Sequence, residues 1–327
     1  MAEGRASRFD PVRLRTLLFI PADDVHKCEQ AWTSGADAVI FDLEDAVAPA
    51  FKAQARDTLR RVLERRLDGP AVVVRINAPN LADGEADLAL LADLVVDAMM
   101  VPKAQMRSLQ LIPSHAPPVI ALVETASGLL HAEEVACAES VCLLMFGPAD
   151  LTAELGCEPS ASGEELLLAR SQLVLASAAA GLPAPIDGPS LAIRDNEVLR
   201  AEAQRAKRLG FGGKACIHPA QLEEVRRAFT PSETEIDWAR RVVDAYHAAL
   251  AQGAGVASRN GRMIDVPVAR RAYRILERSG DKSWPSPSRL LQSSGAADSL
   301  KTSTLATCTE VAWDARFPKS TTRGSRP

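Results

Sequence analysis

Aromatic residues make up only 4% of this 327-residue chain, so any core it forms must be packed by aliphatic side chains rather than rings. No stretch approaches the length of apolar run needed to cross a bilayer, and the opening residues MAEGRASRFDPVR carry no apolar segment of signal-peptide type. There is no block of one charge either. The 38 basic residues are dispersed among 42 acidic ones for a net charge of −4, which argues against a nucleic-acid or anionic membrane surface. Six cysteines, Cys28, Cys137, Cys142, Cys157, Cys216 and Cys308, show no CxxC spacing and read as reduced thiols of a cytoplasmic protein.

What is present is material for one large α/β core, with 47% hydrophobic and 24% charged residues. Eight short apolar segments alternate with helix-like stretches. In order they are TLLFIP, ADAVIFD, AVVVRINAP, VDAMMVPK, PVIALVE, VCLLMFGPAD, PAPID and GKACIHP. Runs this apolar, without alternation, are expected of parallel strands buried on both faces. Eight of them separated by helices predict a (β/α)8 TIM barrel. A doubly wound sheet is the alternative, but the turn after the first strand, FIPADD, is not the Gly-rich phosphate turn such a sheet would carry. Expected helices include Cys28 to Trp32 before Gly35, one starting at Pro49, Leu81 to Leu94, ETASGLLHAEEVA, Gly163 to Ala180 and Asp195 to Leu209.

Polar residues able to do chemistry gather where each strand stops: Glu44, Arg75, Lys103, Glu124, Asp150, Asp187 and His218. In a barrel those positions meet at the carboxyl-end mouth. Glu124 and Asp150, closing two neighbouring strands, are a pair of hard oxygen ligands of the kind Mg2+ takes while keeping room for water and substrate; both could instead merely cap the helices that follow. Arg75 emerges from a buried run and needs a carboxylate partner, either an acid of this chain such as Glu44 or a substrate carboxylate. Lys52 and Arg56 fall four apart on one helix face, for which an ordinary solvated face is the simpler reading.

Beyond the eighth strand a helical appendage is expected over 230–284, with a helix from Glu233 to Ala251 and then NGRMIDVPVARRAYRIL. Asp265 there precedes Pro267 at a helix start, so an N-cap role is its plainer reading. From 285 to 327 Ser and Thr dominate without periodicity, and this tail is expected to be disordered.

The segments LLFIPADD, DAVIFDLEDAV, VVVRINAP, ALVETASGL, LMFGPADLTAELG, GFGGKACIHPAQ and NGRMIDVP occur in order. Together they resemble the citrate lyase β-subunit-like branch of the HpcH/HpaI aldolase/citrate lyase family, over about Leu14 to Leu276. The resemblance implies a Mg2+-dependent barrel of residues 14–229 that makes or breaks a carbon–carbon bond beside a carboxylate, converting a 3-hydroxyacyl-CoA thioester to a 2-oxo acid and acetyl-CoA. It implies Glu124 and Asp150 as metal ligands, Arg75 as a substrate-binding and catalytic residue, and Glu44 as its support. Lys52 and Arg56 match a basic helix start that could meet a nucleotide or phosphate. Asp265 resembles an acid/base residue supplied to a neighbouring subunit, which implies a homo-oligomer, a trimer or hexamer. The alternatives it leaves open are a citrate lyase β subunit working with an acyl-carrier protein, a pyruvate-type aldolase acting on free oxo acids, and an oxo-acid-binding protein without turnover.

Overall fold

The computed structural model describes residues 9–65, 68–259 and 262–280. The expected Ser/Thr-rich tail lies outside them. Two compact units divide at Phe229 and Thr230.

In the first unit eight parallel strands close on one another in sequence order: β1 Thr16–Pro21, β2 Ala38–Asp42, β3 Ala71–Arg75, β4 Ala98–Val101, β5 Val119–Val123, β6 Val141–Phe146, β7 Ile186–Asp187 and β8 Gly213–Cys216. β1 pairs with both β2 and β8, so the barrel has no free edge and the doubly wound alternative is excluded. Alternate residues along each strand divide between two cores. Leu17, Ile40, Val73, Met100, Ile120 and Met145 fill the barrel, whereas Leu18, Val39, Phe41, Val72, Val74 and Met99 pack outward against the helices. That double burial explains the unbroken apolar runs.

Some elements differ from the sequence expectation in extent. The segment after β5 forms two helices, Ala126–Leu130 and Ala132–Cys137, because His131 between them leaves helical geometry at φ −111°, ψ 24°. The long helix before β7 begins with a 3-10 turn, Glu164–Leu166, entered through Gly163 at φ +61°, and continues as Leu167–Ala179. The first helix spans Val25–Gln30, capped by Asp24, and Ala31–Thr33 is a 3-10 turn. Lys103, Asp150 and His218 sit past the strands rather than on them, since β4, β6 and β8 end at Val101, Phe146 and Cys216.

In the second unit the helices Glu233–Ala251 and Val266–Ser279 pack on each other through Val242, Val243, Tyr246, Ala269, Ala272 and Tyr273. A short antiparallel pair, Ala257–Arg259 with Arg262–Ile264, precedes the second helix. The sequence gives little sign of that pair because three residues a side are too few to show a period. Among the described residues no helix is long and apolar enough to cross a membrane.

Candidate active site

β2 and β3 run in register, with Asp42 level with Arg75 at their carboxyl ends. Both point into the barrel, because Ile40 and Val73, two residues back, belong to its interior core. The pair is bidentate: Arg75 Nε donates to Asp42 Oδ1 at 2.7 Å and Nη2 to Oδ2 at 2.5 Å. Arg75 Nη1 lies 3.2 Å from Glu44 Oε2 and 3.8 Å from Asp45 Oδ2, and the guanidinium stacks 5.1 Å from the Phe19 ring centroid. Burial pulls the Arg75 pKa down, but the Asp42 bonds and the charges of Glu44 and Asp45 outweigh it and raise it.

The predicted partner of Arg75, Glu44, is therefore real but secondary. Asp42 is the principal one. It also accepts the backbone N–H groups of Glu44 at 2.9 Å and Ala46 at 3.2 Å, so one buried carboxylate holds both the guanidinium and the turn that carries Glu44. Its signal in the sequence was its place five residues into β2, matching that of Arg75 in β3.

Glu124 follows β5 directly and is 2% exposed. Its Oε1 accepts the Lys103 backbone N–H at 2.9 Å. Burial drives its pKa up to about 8, partly offset by that bond and reinforced by the negative charges of Glu44 and Asp150. Asp150 lies in the first turn of the helix Pro148–Leu155, so it is both an acid at a helix N-terminus and a lining residue of the mouth. A cavity of ≈ 290 Å3 opens there, lined by Phe19, Asp42, Arg75, Glu124, Asp150 and Ile217 among others. A larger cleft of ≈ 380 Å3 between Val25, Trp32, Arg61 and Val62 lies on the outer helices, away from these groups.

Glycine is required at 147 by close approach. A Cβ there would stand 2.3 Å from Glu124 Cβ and 2.7 Å from its Oε2. Gly147→Ala is therefore expected to displace the Glu124 carboxylate and destabilise the fold by about 1–3 kcal/mol, the usual cost of overpacking. Activity and metal binding should fall together, measured by urea denaturation beside a Mg2+ titration.

Lys52 and Arg56 do not form a solvated face. Lys52 is buried, and its ammonium donates to Leu43 O, Glu44 O and Asn77 Oδ1 at 2.6–2.7 Å. Three donors meet three acceptors, so the nucleotide or phosphate contact expected of Lys52 finds no donor left to make it. Arg56 pairs with Asp83 and with the fully buried Asp87, which in turn accepts the Asn77 backbone and side-chain N–H groups. This network braces the turn bearing Glu44; spacing alone could not show it, because its acceptors are backbone carbonyls and residues far along the chain.

Lys103 reaches Glu44 Oε1 at 2.8 Å. Burial lowers its pKa, but the Glu44 bond and charge more than reverse this and leave it raised. A Schiff-base lysine needs the opposite shift. His218 caps the turn Pro219–Gln221 by accepting the Ala220 N–H. In the second unit Asp265 is half-buried and caps the helix Val266–Ser279 by accepting the Val268 N–H at 3.1 Å. The plainer reading of Asp265 is thus realised.

A closed eight-stranded barrel with a carboxylate pair, a guanidinium and a cavity at its carboxyl mouth has the architecture of a TIM-barrel enzyme site. Residues 15–219 match the HpcH/HpaI aldolase/citrate lyase family, and the chain belongs to it. A citrate lyase subunit beta-like protein of Mycobacterium tuberculosis is 41% identical over 269 residues, 81% of this chain and 95% of the relative. A (3S)-malyl-CoA thioesterase of Cereibacter sphaeroides is 37% identical over 255 residues, 77% of this chain and 89% of the relative. Among solved structures, CitE of Mycobacterium tuberculosis in complex with magnesium, acetoacetate and coenzyme A is similar at a TM-score of 0.71 and 38% identity, covering 83% of this chain and 100% of that one.

Proposed function

We propose that the protein is a Mg2+-dependent carbon–carbon lyase that converts a 3-hydroxy-3-carboxyacyl-CoA thioester to a 2-oxo acid and acetyl-CoA, or runs the reverse. The observation that carries this reading is the acidic pair Glu124 and Asp150 beside Arg75 in one cavity at the barrel mouth. A dication fits that donor set: burial first, and then the charges of Glu44 and Asp150, push Glu124 up to about 8, and a bound cation would offset that penalty. Mg2+ bound by Glu124 and Asp150 would supply Lewis acidity to the hydroxyl and carboxylate oxygens of the substrate.

Arg75, fixed in plane by Asp42, presents positive charge to the carboxylate or to the oxygen that becomes the ketone. Glu44 supports that guanidinium from its other side. Transfer of the hydroxyl proton to solvent water lets the O–H electron pair form the carbonyl as the carbon–carbon bond breaks, and the pair of that bond stays on the acetyl thioester as an enolate. Asp265 is the group assigned to protonate that enolate, or to remove the proton in reverse. It is supplied by the appendage of residues 230–284 of another copy, in a homo-oligomer that a trimer or hexamer would satisfy. The catalytic barrel is residues 14–229. The relative crystallised with magnesium, acetoacetate and coenzyme A supports the ligand classes.

A second reading is favoured by the relative named a malyl-CoA thioesterase: hydrolysis of the thioester itself. One assay separates the two. Malyl-CoA, citramalyl-CoA and citryl-CoA are each offered to the purified chain with Mg2+ and with EDTA. The lyase reading expects glyoxylate, pyruvate or oxaloacetate released with acetyl-CoA, and no release in EDTA or from Asp150→Ala. Free CoA with no oxo acid would replace it by the thioesterase reading. No product from any thioester, with oxaloacetate still bound in a Mg2+-dependent way, would move the protein to a subunit dependent on an acyl-carrier partner or to an oxo-acid-binding protein.

A further inference from the structure

Lys103 is the one non-glycine among the described residues with positive φ, at +48°. In that conformation Cβ crowds the backbone, and glycine would adopt it without penalty. Such a residue persists where its surroundings over-determine it, and here they do so from two sides. The backbone N–H of Lys103 donates to Glu124 Oε1 at 2.9 Å, and its ammonium donates to Glu44 Oε1 at 2.8 Å. The next residue is tied back to the barrel, Ala104 N–H donating to Leu122 O at 2.9 Å.

The two carboxylates need such a tether. Glu44 Oε2 is buried and lies 3.2 Å from Arg75 Nη1 without hydrogen-bond alignment, so the Lys103 ammonium is the aligned side-chain donor that orients this group. At Glu124, the N–H occupies Oε1, while Oε2 is the oxygen packed toward Gly147, whose backbone lines the cavity. A side chain and a main chain of one residue can diverge toward two acids in this way because the left-handed turn at 103 redirects the N–H.

We propose that Lys103 is a positioning residue of the site, its main chain setting the Glu124 carboxylate and its ammonium setting Glu44. The inference rests on the reading of Glu124 as a cation ligand and Glu44 as part of the reacting site. It makes the charge and the backbone of Lys103 separable in function, since a residue without a side chain still offers the N–H.

Lys103→Gly and Lys103→Arg in the full chain test this, with Mg2+ affinity by calorimetry, kcat and KM on the turned-over thioester, and the thermal midpoint. In Lys103→Gly the N–H remains and the backbone strain is gone, so Mg2+ affinity is expected near wild type and the midpoint unchanged or higher. Its kcat is expected to fall by about 10–100-fold, the usual loss when a group orienting an active-site ligand is removed, with KM moving less. Lys103→Arg keeps the cation and is expected to recover part of kcat. Wild-type kcat in the glycine variant overturns the proposal, as does a joint fall of kcat, Mg2+ affinity and midpoint, which would mark a merely structural residue. Glu124→Gln, run alongside, keeps the two readings apart. Mg2+ binding that survives it removes the ligand assignment, whereas normal Mg2+ binding with unaltered turnover in Lys103→Gly removes the positioning role.

Discussion

Asp42→Ala is expected to lower the unfolding free energy by about 3–5 kcal/mol, because it leaves the Arg75 guanidinium buried without its bidentate partner. Asp42 is 1% exposed and the Arg75 side chain 11%, so the lost bonds belong to a largely buried pair. The N–H groups of Glu44 and Ala46 lose their acceptor in the same step. Turnover should fall by about 100-fold or more, since an ångström of misplacement at reacting groups is enough for that. Asp42→Asn keeps the shape but sets an amide NH2 against the guanidinium, and should lie between wild type and alanine. The double replacement Asp42→Leu with Arg75→Met is the sharper test, because removing both charges of a buried pair is often neutral for stability. Urea denaturation should then show stability partly recovered, with the Glu44 and Ala46 N–H groups still lacking their acceptor, while activity stays lost; no recovery over Asp42→Ala would mean the pair holds the barrel mouth by more than its charges.

A second buried cluster is expected to contribute to the acid limit of the fold. Asp187, 1% exposed at the end of β7, accepts from Arg170 Nε at 3.0 Å and Lys214 Nζ at 2.8 Å, and Lys214 also lies 3.4 Å from Glu202. Arg170 and Glu202 come from the helices Leu167–Ala179 and Asn196–Leu209, so the cluster pins two helices to the barrel wall. Burial alone would raise the Asp187 pKa, but the charges and hydrogen bonds of Lys214 and Arg170 outweigh it and hold it below the ordinary aspartate value. A carboxylate depressed in the folded state contributes stability that is fully present above its unfolded pKa, about 3.9, and is lost as pH falls through the folded value. Stability should therefore drop steeply below about pH 4. Asp187→Asn should flatten that part of the pH–stability curve. Asp187→Ala, which leaves Arg170 without its carboxylate and Lys214 with Glu202 alone, should cost about 3–5 kcal/mol at neutral pH. A curve for Asp187→Asn that parallels wild type in acid would assign the acid limit to other carboxylates.

The strands were legible because a barrel strand is buried on both faces, so most of their apolar runs are unbroken, and in β2, β3 and β5 a charged residue falls at or next to the strand end. That logic found Arg75 and Glu124 within one residue of where β3 and β5 stop. It misjudged residues whose partners lie across the fold. Lys52 and Arg56 have helix spacing that suits a wet face, yet one is buried on carbonyls of Leu43 and Glu44 and the other on Asp83 and Asp87. The helix after β5 reads as continuous in propensity and breaks at His131 all the same.

The order of apolar runs and the acids that close them made a (β/α)8 barrel with a carboxylate-rich mouth the expected fold, because double burial and strand length are local properties of the sequence, while the pairing of β1 with β8 was needed to exclude a doubly wound sheet. Only the tertiary structure decided that Asp42 clamps Arg75, that Lys103 tethers both Glu44 and Glu124, and that position 147 admits no side chain beside Glu124. These follow from strand register and from the closure of the barrel, which bring together groups tens of residues apart, and no local pattern of hydrophobicity or charge encodes a distance across a closed sheet.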